Sequence, residues 1–167
     1  MLRRVLVLLL VLAAVTTSAA PLPPQDVPDP LKTWVPWVLY EVPDARCPYP
    51  YNSNEERRCA WPARLSLGVD ERGARFSQSI ALYAPVWVAL PGDGETWPQD
   101  VKVDGKPAAV VAREERPAIH LPPGEHDLSG AFFWQQMPES LPLPPETGLV
   151  ALKLNGVAIA APQLDQD

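Results

Sequence analysis

The chain lacks the side chains from which most active sites and metal centres are built. It has only two cysteines and two histidines, and two thiolates without a neighbouring histidine leave a zinc site incomplete. It contains no Walker motif, no dinucleotide-binding fingerprint and no Gly-x-Ser-x-Gly nucleophile turn. We therefore predict that the chain is not an enzyme and that it uses no metal and no cofactor.

Two catalytic or metal-binding alternatives stay open at this level. The two histidines have several carboxylates near them in sequence, which allows a carboxylate–imidazole metal site as an alternative to packed or surface histidines; the residues are His120, His126, Glu114, Glu115, Glu125 and Asp127. Paired carboxylates of the glycosidase kind are also compatible with the many acids in the loops. The sequence favours neither.

Clusters of basic residues are missing as well. The formal net charge is −6, and an acidic chain without a Lys/Arg cluster lacks the electrostatic footprint of a nucleic-acid or anionic-membrane binder. We therefore expect no nucleic acid among its partners.

Long apolar runs are confined to the N-terminus. Arg3 and Arg4 precede the apolar run Val5–Val15, and the small residues that follow favour cleavage before Ala20, with cleavage before Pro21 as the alternative. This order predicts a signal peptide at residues 1–19 and a periplasmic or secreted protein. The run is shorter than the roughly 20 residues of a spanning helix, so an anchor formed by an uncleaved N-terminal segment is the alternative.

Windows free of proline are also scarce. The 22 prolines interrupt every candidate helical stripe, whereas 47% apolar residues and six tryptophans are too many for a disordered chain. Residues 20–32 are predicted to form a Pro-rich extended lead-in. Thr33–Glu41 has the composition of a strand, which Pro36 would place at a sheet edge or divide into two short pieces.

The remaining pattern is that of short strands and tight turns. Apolar and polar residues alternate from Ala63 to Asp70, and Asp104-Gly105 and Asn155-Gly156 are typical hairpin turns. Two strand pairs are predicted between Val101 and Trp134, the second turned by Pro122-Pro123-Gly124. This predicts an all-β fold, an antiparallel β-sandwich of the immunoglobulin-like or jelly-roll-like kind, as a single domain at residues 33–167.

The two cysteines are predicted to form a disulfide. Cys47 and Cys59 enclose a short polar loop, and export would carry them to an oxidising compartment. The loop that they close is predicted to be a pinned surface excursion.

Aromatic residues provide the functional signal. Aromatic faces flanked by hydrogen-bonding groups suit sugar rings, and the candidate ligand-binding residues are Trp97, Tyr49, Tyr51 and Trp37. The competing interpretation is that most tryptophans fill the core of a small sandwich, for which the strand contexts of Trp61, Trp87 and Trp134 are suitable.

Several phrases resemble a known group of proteins. Four segments carry the resemblance: Asp44-Ala45-Arg46-Cys47-Pro48, Arg58-Cys59-Ala60-Trp61-Pro62, Leu121 to Gly130 and Leu143 to Gly148. Together they resemble the N-terminal β-rich region of long, exported, uncharacterised envelope proteins of proteobacteria. In those proteins the region opens a much longer polypeptide, whereas this sequence ends after its last hairpin. The difference suggests a truncated or excerpted chain, whose membrane association would then come through a longer parent protein.

The function predicted from these features is that of a non-catalytic, exported β-sandwich module of the bacterial cell envelope. Its main role would be structural or an interaction with a protein partner in the envelope. A carbohydrate-binding module that uses exposed aromatic residues to hold a glycan is the alternative.

Overall fold

The computed structural model describes residues 26–40, 42, 44–51 and 56–164. Internal contacts divide the chain into two units, Met1–Glu41 and Val42–Asp167. The predicted signal peptide at residues 1–19 lies outside the described residues and stays a prediction. Within the described part, no helix is both long enough and apolar enough to span a membrane.

The described part of the first unit contains two helical turns, α1 (Asp29–Lys32) and α2 (Val35–Val38). The predicted strand at Thr33–Glu41 is therefore wrong, and so is the extended backbone expected at the end of the lead-in. The reason lies in the prolines, because a proline stands at the first or second position of each turn. There its missing N–H costs nothing and its fixed φ suits a helix.

The second unit is a sandwich of two β-sheets, which confirms the predicted fold class. The larger sheet has eight strands in the order β11-β10-β2-β3-β9-β5-β6, with β1 also paired to β3, and the smaller has the order β4-β8-β7. The strands are β1 Ala60–Pro62, β2 Leu65–Asp70, β3 Gly73–Leu82, β4 Val86–Ala89, β5 Gln99–Val103, β6 Lys106–Pro107, β7 Val111–Arg113, β8 Arg116–Leu121, β9 Gly124–Phe133, β10 Val150–Leu154 and β11 Val157–Ile159.

The strand pairs are antiparallel with one exception among the described residues, the parallel pair of β2 and β10. The centre of the large sheet is the long pair of β3 and β9, which runs from Gly73 opposite Phe133 to Leu82 opposite Gly124. Strands β2 and β10 extend the sheet on one side of this pair, and β5 and β6 extend it on the other.

The core lies between the two sheets and is built by period-two alternation. On β2 the alternation is the predicted one, since Leu65 and Leu67 are buried while Ser66 and Gly68 are exposed. The buried cluster combines residues of both sheets, namely Leu65, Leu67, Ala74, Phe76, Ile80, Leu82, Val88, Leu90, Val101, Ile119, Leu121, Leu128 and Phe132.

Two predicted hairpin turns are confirmed by their backbone. Asp104-Gly105 has φ values of 52° and 75°, and Asn155-Gly156 has 49° and 82°, the left-handed pair that such turns need. The second predicted strand pair is wrong, because β8 lies in the small sheet and β9 in the large one. Pro122 and Pro123 therefore lead the chain from one layer to the other rather than closing a hairpin.

Candidate functional site

The disulfide predicted from the sequence is present between Cys47 and Cys59. The loop that it closes is also held by Arg57, whose Nη1 donates to the carbonyl oxygens of Ala45 at 2.7 Å and Cys47 at 3.3 Å. The same guanidinium lies 4.7 Å from the centre of the Tyr49 ring. One face of this candidate ligand-binding ring is thus already occupied by the loop's own arginine.

The four predicted ligand-binding residues lie in three different segments of the chain. Tyr51 is fully exposed and Tyr49 is 41% exposed, whereas Trp97 is half-buried in a different loop. Trp37 belongs to the other unit and meets Trp34 edge-on, with an angle of 87° between the rings. Among the ring contacts of the described residues, none joins two of these four side chains, so a glycan site made of them stays a prediction.

Trp87 is on the outside of the sandwich, which corrects its expected role as a core residue. Val88 points into the core and is 5% exposed, so the next side chain along β4 must point outward, and the Trp87 indole is 43% exposed. The ring lies beside His120, 5.0 Å between ring centroids, and the Arg113 guanidinium lies 5.2 Å from its centroid. The alternation of Val86-Trp87-Val88 was the sequence signal for this orientation.

The other two tryptophans considered for the core, Trp134 and Trp61, differ in how far they are buried. Trp134 is half-buried against the core, and its Nε1 donates to the carbonyl oxygen of Asp70 at 3.2 Å. Trp61 is 36% exposed, and its Nε1 donates to the carbonyl oxygen of Arg58 at 2.8 Å. Both indoles are therefore used to fasten loops of this domain.

The two histidines are separate and neither lies in a metal site of the described residues. His126 Nδ1 is 2.9 Å from Asp104 Oδ2, and its Nε2 is 3.0 Å from the carbonyl oxygen of Pro122. Both partners are acceptors, so the arrangement is satisfied when both ring nitrogens carry a proton. In the described part of the chain, no group of three or more His, Cys, Asp or Glu side chains converges.

The pKa values of this pair are displaced in opposite directions. The hydrogen bond to Asp104 raises the pKa of His126, and the Pro122 carbonyl and the Glu125 charge act in the same direction. The backbone N–H of Asp127 and then the imidazole lower the pKa of Asp104, with a smaller contribution from the Lys106 charge. This pair fastens the Asp104-Gly105 turn to β9, since Asp104 also accepts the backbone N–H of Asp127 at 2.9 Å.

We expect His126 to make the stability of the domain depend on pH. Because its folded-state pKa is raised above the ordinary value of about 6.5, its contribution is complete below that pH and is lost as the pH rises through the folded-state pKa. The pKa of Asp104 is lowered, so its contribution to stability is lost only as the pH falls through that lowered pKa, below the ordinary value of 3.8. The thermal midpoint of the wild type should therefore decline as the pH is raised above about 6.5.

In the variant His126→Gln, the share of this decline that comes from the histidine should disappear. His120→Gln removes the other histidine and serves as the control, in which the thermal midpoint should still decline with rising pH. A decline of the same size in the His126 variant would contradict the assignment.

The last hairpin leaves an apolar surface uncovered, and we call it the hairpin face. Residues Leu152, Leu154, Val157 and Ile159 lie on one side of β10 and β11, as their register requires. Leu152 continues the inner face of β2, where it lies beside Leu67, and it packs against the core. Beyond it, however, Val157 is 66% exposed, and Leu154 and Ile159 are each 36% exposed.

The edge strand of this hairpin is also unprotected. Natural sheets usually blunt their edges with charge, with proline or with bulges, and the opposite edge of the large sheet, β6, consists of Lys106 and Pro107. By contrast, β11 reads Val-Ala-Ile, is exposed along its length and carries no charge. β11 is therefore an open edge of the large sheet, whereas β6 is a protected one.

Comparisons with known proteins add little to this picture. Neither protein-family models nor curated proteins give a match to this chain. Among solved structures, the chain is similar to the M1 zinc metallopeptidase from Deinococcus radiodurans, at 12% sequence identity and a TM-score of 0.34. The likeness covers 53% of this chain and 21% of that one. At this TM-score it carries no argument about function.

Proposed function

We propose that the chain is a non-catalytic, exported interaction module of the bacterial cell envelope. The observation that carries the proposal is the combination of the apolar hairpin face with the open edge of β11. Exposed apolar surface next to unpaired strand groups is the usual mark of a protein–protein contact. The disulfide supports an oxidising compartment, and the signal-peptide pattern and the resemblance to exported envelope proteins support the location.

The titratable groups favour binding over catalysis. The described residues with displaced pKa values, His126 and Asp104, are bonded to each other and to backbone atoms. Both ring nitrogens of His126 are engaged in these contacts, which leaves neither free to accept or deliver a substrate proton. The pair therefore acts to hold a turn.

The partner that the open edge fits is a second copy of the same chain. Two β11 strands can align antiparallel about a two-fold axis, and each then provides the neighbouring strand that the other lacks. No like charges meet in such a pair, because β11 contains none. Val157 and Ile159 of both copies would then lie on one side and join the two hairpin faces into one apolar strip.

The expected affinity is modest because the shared ladder is short. Three residues per strand give few hydrogen bonds, each worth about 1 kcal/mol net. For so short a strand pair we expect a buried area below the roughly 1,200 Å² of a stable interface. We therefore expect a reversible dimer with a Kd of about 10–100 μM.

The test is sedimentation equilibrium of the purified chain across this concentration range. Val157→Lys places a charge on the open edge and should make the chain monomeric, or weaken the dimer at least tenfold. Val111→Lys is the matched control, because Val111 is also an exposed edge-strand valine, 41% exposed, but lies in the small sheet.

Three results bear on the proposal. Loss of the dimer in the Val157 variant alone supports it. A wild type that stays monomeric at several hundred micromolar overturns it, and so does a dimer that both lysine variants weaken equally.

A further inference from the structure

The outer face of the large sheet carries mostly small side chains at its centre. Across β10, β2, β3 and β9, the register aligns two rows of outward residues. The first row is Ala151, Ser66, Ser77 and Ser129, and the second is Lys153, Gly68, Arg75 and Ala131. In the second row the two cations therefore stand on either side of a glycine. We call this surface the serine–glycine floor.

The space above the centre of this floor is open. A Cβ atom built on Gly68 would meet nothing within 4 Å. Because neighbouring strands lie about 4.8 Å apart, the backbones that carry Arg75 and Lys153 are about 10 Å apart across the glycine. A concavity of about 840 Å³ extends from here to the exposed ring of Phe133, a size that suits a small ligand or a short stretch of polymer.

The charge around the concavity is opposite to that of the chain. The chain has 14 Lys and Arg against 20 Asp and Glu, yet Arg72, Arg75 and Lys153 all line this surface. In the described residues none of these three cations has a carboxylate within 4.0 Å, since the ion pairs found there involve other residues. The carboxylate of Asp70, also in the lining, accepts the backbone N–H groups of Arg72 and Gly73.

We infer that the serine–glycine floor binds an acidic saccharide, a sugar chain that carries carboxylate groups. The unpaired cations would receive the carboxylates, and the hydroxyls of Ser66 and Ser77 are suited to bond sugar hydroxyls. The ring of Phe133, 60% exposed, provides an apolar surface at one end for the carbon–hydrogen face of a sugar.

An acidic peptide fits this surface less well than a sugar does. Peptides usually bind to sheets by adding a strand at an edge, whereas β2, β3 and β9 are paired on both sides. The inference goes beyond the proposed function, because the hairpin face lies on the opposite side of the same sheet.

The experiment is calorimetric titration of the full chain with trigalacturonate, a carboxylated trisaccharide, in about 150 mM NaCl, where weak exposed charge pairs are largely screened. Maltotriose, which is uncharged, and triglutamate, an acidic peptide, are titrated in parallel. We expect trigalacturonate to bind and the other two to bind at least tenfold more weakly.

Two pairs of variants locate the site. Arg75→Gln with Lys153→Gln should weaken binding at least tenfold. Arg58→Gln with Arg116→Gln removes the same charge from two exposed positions outside the floor, one in the disulfide-closed loop and one in the small sheet, and should leave binding unchanged. Gly68→Glu fills the open space with a carboxylate and should abolish binding. Gly68→Ala should have little effect. Thermal melts establish that each variant is folded.

The pattern just described supports the inference. It is overturned if the wild type does not bind trigalacturonate, if triglutamate binds as tightly, or if the two charge-removal pairs weaken binding equally. Sedimentation of the Arg75/Lys153 variant should match that of the wild type, so loss of sugar binding and loss of dimerisation are distinguishable.

Discussion

Replacement of Phe132 by alanine is expected to lower the free energy of unfolding by about 3–5 kcal/mol. The side chain is 1% exposed, and its ring packs against Phe76, with 5.8 Å between the centroids. Removing it loses the transfer free energy of the ring and leaves a cavity that the surrounding sheets fill only in part. Because a whole domain is stable by only about 5–15 kcal/mol, this single change removes a large share.

The adjacent residue is the matched control for this prediction. Phe133 lies next to Phe132 on β9 but is 60% exposed, so Phe133→Ala should change the free energy of unfolding by less than about 1 kcal/mol. Urea denaturation followed by fluorescence measures both variants, with an unchanged slope as the sign that two-state unfolding is retained. Equal losses of unfolding free energy in the two variants would contradict the assignment of Phe132 to the inner face of β9 and Phe133 to its outer face.

Removal of the disulfide is expected to have the second largest effect. In a Cys47→Ala and Cys59→Ala double variant we expect a loss of about 3 kcal/mol, since the bridge closes a short loop and restricts the unfolded chain. The fold itself should persist, because neither cysteine belongs to the main buried cluster between the sheets. Urea denaturation and circular dichroism provide the two readouts.

Wild-type protein treated with a reductant is the control and should lose the same amount as the double variant. A midpoint that does not move on reduction would show that the remaining loop contacts, such as those of Arg57, are sufficient. An unfolded reduced chain would show that the bridge is required for folding. Both results would contradict the expected loss.

A single strand connects the two proposed surfaces. On β10, Leu152 and Leu154 point to the hairpin face while Lys153 points to the serine–glycine floor. This is a direct result of period two, which sends neighbouring side chains to opposite faces. A protein contact at the edge and a sugar on the outer face therefore do not compete for the same side chains.

The elements that the sequence predicts well are those governed by local rules. The alternation of Leu65 to Asp70 marks a half-buried strand, and Asp104-Gly105 and Asn155-Gly156 mark tight turns. These residues would behave in this way in almost any sheet, because the rules depend on side-chain period and on backbone freedom. The prolines were harder to interpret, since the same residue breaks a helix in its interior and begins one at its first turn.

The candidate surfaces could not be predicted in the same way. The concavity brings together Arg75 of β3 and Lys153 of β10, which are far apart in sequence and meet through β2. The parallel pairing of β2 with β10 brings these two residues to the same part of the sheet. Local alternation of side chains does not predict the order of the strands. The aromatic residues proposed from sequence, Trp97 among them, were chosen by loop context, which does not give exposure or a shared plane.

The sequence by itself determined that this chain forms short strands with a disulfide-closed loop, because alternation, turn dipeptides and two cysteines act over short distances. Only the tertiary structure decided which sheet each strand joins, which edge is left open and which side chains meet on a face. Those outcomes depend on contacts between residues distant in the chain, and the burial that stabilises them exists only once both layers are packed.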